Sequence, residues 1–118
     1  MKLEKTFNCL PLNINHGYIH SCIKGKLRRF PSKEVKAWKT ELGWAFKGKW
    51  NLDGNYRIII YIQMGDKRRR DVDSGIKFIL DALSGIIYKD DNQVQSLWVL
   101  KSRGKEHKTT ITVEEIEN

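Results

Sequence analysis

A chain of 118 residues suffices for one domain with one hydrophobic core, spanning residues 1–118, and excludes a second core. Its 22 Lys and Arg against 14 Asp and Glu leave a formal charge of +8, which favours a polyanionic partner through counterion release and electrostatic steering. Charge interrupts every apolar stretch within a few residues and the Lys-rich amino terminus has no apolar core, so no membrane span, no signal peptide and a cytoplasmic location are expected.

Residues 6–10 read as a strand, and 17–23 and 27–30 as two more, joined as a hairpin through Lys24-Gly25-Lys26. Cys9 and Cys22 make no CxxC pair and read as reduced structural thiols. With His16 and His20 they form a candidate zinc set, but the spacing fits no finger or ribbon pattern. From 32 to 46, Val35, Trp38, Leu42 and Ala45 recur at helical spacing while Lys33, Lys36 and Lys39 fall mostly elsewhere. Trp38 is read as core rather than as a base-stacking platform.

Residues 56–64 include the unbroken run Ile58-Ile59-Ile60-Tyr61-Ile62, which predicts a central strand buried on both faces. Beyond Asp73, Ile76, Ile79, Leu80 and Leu83 mark an amphipathic helix of about three turns, with Asp73 or Ser74 as N-cap and Gly85 just past its end. A short apolar piece at 86–88, a turn at 89–93, a strand at 94–101, a turn at 102–108 and a strand at 109–113 complete the order, before the acidic Glu114-Glu115-Ile116-Glu117. His107, between Lys105 and Lys108, reads as a surface residue. The sum is an α+β domain, a mixed sheet with two main helices packed on it.

The chemistry concentrates between these elements. Asp66-Lys67-Arg68-Arg69-Arg70-Asp71-Val72-Asp73 passes from four cations directly into two carboxylates. In extended backbone Asp71 and Asp73 project to one side, and at about 5 Å in an effective dielectric near 20 they would repel by about 3 kcal/mol. A hard divalent cation removes that cost, and magnesium takes such an inventory of one or two carboxylates, waters and substrate phosphate. Lys77, one helical turn beyond Asp73 and one before Asp81, can point toward the same place. A third carboxylate would come from Asp90 or Asp91. Further basic groups, Lys24, Lys26, Arg28 and Arg29, then Lys101, Arg103, Lys105 and Lys108, suit a broad phosphate-binding face. Each part also has an ordinary reading, as a turn residue, a helix cap or a solvated helix face.

The series Arg68-Arg69-Arg70-Asp71-Val72-Asp73, Lys77, Asp81-Ala82-Leu83 and Asp90-Asp91-Asn92-Gln93-Val94 resembles the RusA-like Holliday junction resolvases in order and near-family spacing. Thinner likeness extends to Leu10-Pro11, Asn15, Tyr18 and Ile111-Thr112-Val113. Ser74 departs, standing where the family often has Asn. The resemblance implies a RusA-like fold and a homodimeric, magnesium-dependent endodeoxyribonuclease, with Mn2+ as a substitute, that nicks four-way junction DNA symmetrically in recombination and repair. It carries the metal carboxylates to Asp71, Asp73 and Asp91, with Asp90 as the alternative third, and the catalytic lysine to Lys77. Lys67, Arg68, Arg69 and Arg70 would grip the DNA backbone. The competing reading is a non-catalytic basic nucleic-acid-binding protein, in which the aspartates cap a helix and the arginines hold phosphate.

Overall fold

The structure is a computed structural model that describes residues 1–10, 18–23, 26–31, 33–67 and 75–117, with 18–23, 26–31 and 33–35 described by backbone alone. Its elements are β1 (Lys2–Phe7), β2 (Tyr18–Ile23), β3 (Lys26–Pro31), α1 (Lys33–Ala45), β4 (Asn55–Met64), α2 (Ile76–Leu83), β5 (Val94–Arg103) and β6 (Lys108–Ile116). Among the described residues, four strands form a mixed sheet in the order β1-β6-β4-β5, and β2 and β3 pair antiparallel as a separate ribbon. β4 and β5 run parallel, and α2 supplies the crossover such a pair requires. β4 also pairs antiparallel with β6, and β6 with β1. This is the expected α+β domain of one mixed sheet and two helices.

Alternation along β4 fixes which side of the sheet is core. Tyr56, Ile58, Ile60, Ile62 and Met64 are buried, and in register with them β6 contributes Ile111 and Val113. Against this face pack Trp38 and Leu42 of α1, Phe46 just past its end, and Ile76, Phe78, Ile79 and Leu83 of α2. Aromatic contacts join the layers. Trp38 lies 5.0 Å from Phe7 and 6.2 Å from Phe78, and Tyr56 lies 6.0 Å from Tyr88. Trp38 is therefore core, as expected, and its indole N–H donates to the Leu10 carbonyl at 3.3 Å.

Several expectations change. β4 is central but not buried on both faces: Ile59 is half-buried and Tyr61 exposed, because both helices pack on one side of the sheet. β1 starts and ends earlier than 6–10, since pairing with β6 from Lys2↔Glu114 to Phe7↔Thr109 sets its register in a segment with little apolar patterning. β6 runs on to Ile116, so the acidic residues are part of the sheet rather than a tail. Glu114 lies 3.7 Å from Arg57, and the Glu115 N–H donates to the Met1 carbonyl at 2.9 Å. The 3-10 turn Asp91–Gln93 stands in the turn expected at 89–93. Among the described residues no helix is long and apolar enough to cross a membrane.

Candidate active site

α2 opens at Gly75, which takes φ +80° and ψ 0° and occupies the N-cap position in place of the expected Asp73 or Ser74. No side chain caps this end; the Ile79 N–H donates to the Gly75 carbonyl at 3.3 Å. A left-handed residue at this point turns the arriving chain sharply onto the helix, a conformation glycine adopts without steric cost. Lys77 then lies on the exposed side of the first turn, opposite the buried Ile79 and Leu83.

Lys77 joins two elements. Its Nζ donates to Asp91 Oδ2 at 2.8 Å and lies 3.1 Å from Asp81 Oδ1, one turn further along α2. Hydrogen bonds from Asp91 and then Asp81 hold the Lys77 ammonium above its usual pKa. Conversely, the Lys77 ammonium, and after it a hydrogen bond with Asp90, holds the Asp91 carboxyl below its usual range. Lys77 is thus a cation across the neutral range. The groups are largely open to solvent, so their value lies in placing charge rather than in stability.

The two late aspartates, left open by the sequence, differ in what their side chains do. Asp90 caps the 3-10 turn: its Oδ1 accepts the Asn92 N–H at 3.1 Å. Gln93 completes a capping box, with Oε1 accepting the N–H groups of Lys89 and Asp90 at 2.9 and 3.0 Å. Gln93 Nε2 donates to the carbonyls of Leu52 and Gly54, both at 2.8 Å, which ties the turn to the start of β4. Asp90 is committed to the turn's backbone and Asp91 is directed to Lys77.

Tyr88 secures the same region from below. Its ring is fully buried and its hydroxyl donates to the Leu80 carbonyl at 2.7 Å, linking α2 to the segment that carries Asp90 and Asp91. Burial first, and then the negative charges of Asp91, Asp81 and Asp90, push its pKa up.

At the far end of β4 a second set of contacts holds the departure of the charged run. The Gly65 N–H donates to His107 Nδ1 at 3.0 Å, while His107 Nε2 lies 3.5 Å from Asp66. A Cβ on Gly65 would come within 2.5 Å of Glu106 Cα, so only glycine fits. The Gly104 N–H donates to the Met64 carbonyl at 3.0 Å. His107, read from sequence as a surface residue, is half-buried and orients the loop that presents exposed Lys67. Arg103 and Lys105, on the adjoining strand end and turn, are exposed beside it.

Arg68, Arg69, Arg70, Asp71 and Asp73 lie outside the described residues, as do His16 and the side chains of His20 and Cys22. Among the described residues no three His, Cys, Asp or Glu side chains group closely enough to hold a metal ion. The structure therefore brings together Lys77, Asp81 and Asp91, with the Asp90 carboxyl beside Asp91 and not on Lys77. Reading the sequence missed the roles of Gln93, Tyr88 and His107. The Asp-x-x-Gln spacing of 90–93 was the one signal available, since it is that of a capping box.

A parallel βαβ unit in a small mixed sheet, with a lysine and a carboxylate paired beside the crossover helix and cations at the strand ends, is the frame of an enzyme acting on phosphate. The family model for the endodeoxyribonuclease RusA matches residues 15–114. A search of curated proteins returns no significant match. The chain belongs to the RusA endodeoxyribonuclease family, whose members resolve Holliday junctions in DNA recombination and depend on a divalent metal. Its fold and activity are those of that family.

Proposed function

We propose that the chain cuts four-way junction DNA by paired, symmetric nicks as a magnesium-dependent homodimer, in recombination and repair, within the cytoplasm. Asp71, Asp73 and Asp91 are its metal carboxylates, Lys77 its catalytic lysine, and Lys67, Arg68, Arg69 and Arg70 its hold on the DNA backbone. The observation that carries this reading is the 2.8 Å contact between Lys77 and Asp91, two residues 14 apart in sequence on different elements.

The donor chemistry fits a hard divalent cation. Asp91 offers carboxylate oxygen, it is not consumed as a helix cap, and it already draws a cation to itself. Mn2+, with the same preference for oxygen, is an expected substitute. When bound, magnesium supplies a Lewis acid and a water acidified toward hydroxide. The rest falls to the chain's own residues. Asp71, Asp73 and Asp91 supply the negative charge that a cation requires. Lys77, an ammonium with three donors, uses two on Asp91 and Asp81 and keeps one for a phosphoryl oxygen, where negative charge grows during attack. Its raised pKa supports action as a cation rather than as a general base. Asp81 keeps the ammonium anchored as Asp91 shares its charge with the metal.

The test uses a labelled four-way junction, linear duplex and single strand, each with magnesium or with chelator. Paired nicks in the junction alone, and only with metal, are expected. Cleavage unaffected by chelator, or no cleavage of any branched DNA across divalent metals, would overturn the reading.

A further inference from the structure

The two ends of the parallel pair β4 and β5 are built differently. Where the strands begin, Gln93 ties the Asp91–Gln93 turn to Leu52 and Gly54, so the contact of Asp91 with Lys77 is made at that end. Where they finish, the two departing segments lock together. The Gly104 N–H donates to the Met64 carbonyl at 3.0 Å, Gln63 Nε2 donates to the Glu106 carbonyl at 2.9 Å, and the Gly65 N–H donates to His107 Nδ1 at 3.0 Å. Gly65 passes so close to the Glu106 backbone that a Cβ would not fit between them.

Cations surround this locked end. Arg103 is the partner of Met64 in the register, Lys67 stands three residues beyond Met64, and Lys105 lies in the turn after β5. All three are exposed, and none forms an ion pair with another described residue. The neighbouring carboxylates are engaged: Glu106 lies 3.4 Å from Lys108, and Asp66 lies 3.5 Å from His107. No Asp or Glu occurs between Asp91 and Glu106, so the residues of β5 set no negative charge against a polyanion laid along the strand. Paired residues project to the same side of a sheet. Arg103, paired with buried Met64, therefore projects to the helix-bearing side, where α2 carries Lys77.

We infer that Lys67, Arg103 and Lys105 form a second phosphate-binding subsite, which holds a duplex arm of the junction about nine base pairs from the phosphate at the Lys77–Asp91 pair. The inference rests on the junction-cutting reading above and deepens it by giving the substrate a required arm length. The span follows from β5, whose ten residues at a rise of about 3.3 Å set its two ends about 30 Å apart. Phosphates along one DNA strand advance about 3.4 Å per base pair. The clamp of Gly65, Gly104 and His107 fixes the backbone that bears the cations, so little ordering cost falls on binding. Contacts to phosphate position a duplex without reading its sequence. The subsite therefore measures arm length rather than base identity.

The test is the affinity of the full chain, wild type and the double variant Arg103→Ala with Lys105→Ala, for labelled four-way junctions. Their arms are about five or about fifteen base pairs long, shorter and longer than the span. Chelator is present so that nothing is cut, and far-UV circular dichroism establishes folding. Wild type should bind the long-armed junction about tenfold more tightly at low salt, and the variant should bind both alike. On long arms the variant should also lower the slope of log affinity against log salt by about 2. Wild-type affinity indifferent to arm length, a measurement that needs no variant, would overturn the assignment. So would a folded double variant that keeps the wild-type preference for long arms. Cleavage by wild type in magnesium is measured in parallel. Arm-length-dependent binding by a protein that cuts no junction would refute the proposed function and leave the subsite standing, while cutting with affinity indifferent to arm length would do the reverse.

Discussion

At the scale of single residues, the site turns on a division of labour between neighbours. Asp90 and Asp91 have the same side chain and consecutive positions, yet one caps a turn and the other meets Lys77. Asn caps a helix as well as Asp does, so Asp90→Asn should leave both stability and cleavage near wild type, whereas Asp90→Ala should cost about 1 kcal/mol in denaturant unfolding. A large loss of cleavage in Asp90→Asn would return Asp90 to the metal site. Lys77→Met should lower the cleavage rate by about a hundredfold while junction binding, followed by gel shift, stays within a few fold of wild type. The pH dependence of the pair has a definite sign. Asp91, with a folded pKa below its ordinary 3.8, contributes stability above that value and loses it as pH falls through the folded pKa. Lys77, held above 10.5, contributes below that value and loses it as pH rises through the folded pKa. Both ends lie far from neutrality, so a cleavage pH profile should show no inflection from Lys77 between neutral and mildly alkaline pH.

At the scale of elements, the sequence was most legible where periodicity is strong. The apolar spacing of Val35, Trp38, Leu42 and Ala45 marked α1 to within a residue at each end, and Ile76, Ile79 and Leu83 marked the buried side of α2. β4 was legible as a central strand but not as a one-faced one, because a run of isoleucines does not reveal whether a second layer covers Ile59. β1 was misplaced because its position is set by pairing with a strand about a hundred residues away, which no local pattern encodes. The site followed the same rule. Lys77 and Asp81 share a helix face and could be paired from spacing alone, while the approach of Asp91 to Lys77 depends on a turn held by the hydrogen bonds of Gln93 to Leu52 and Gly54, contacts across 39 to 41 residues. Two substitutions test how the elements are joined. Tyr88→Phe should cost about 1 kcal/mol in unfolding free energy, since it removes the 2.7 Å hydrogen bond to the Leu80 carbonyl and leaves that oxygen only the longer one from the Ser84 hydroxyl. Gly75→Ala should cost about 1 to 2 kcal/mol, because alanine resists the left-handed conformation that opens α2.

At the scale of the whole molecule, charge is distributed by face. The ends of β4 and β5 and the turn beyond them carry exposed Lys67, Arg103 and Lys105. The sheet face opposite the helices is apolar at its centre, where Tyr61, Trp98 and Leu100 are exposed. Replacing Arg69 and Arg70 by Ala should weaken junction binding and reduce the slope of log affinity against log salt by up to about 2, whereas an unchanged slope would show that neither touches phosphate. The central claim is that Asp91, paired with Lys77, is a metal carboxylate of a junction-cutting site. The most direct measurement of it is the rate of junction cleavage in magnesium by wild type and Asp91→Asn at matched occupancy of the DNA. Cleavage lost in Asp91→Asn, with junction binding retained, is the predicted result; cleavage at the wild-type rate would contradict the account.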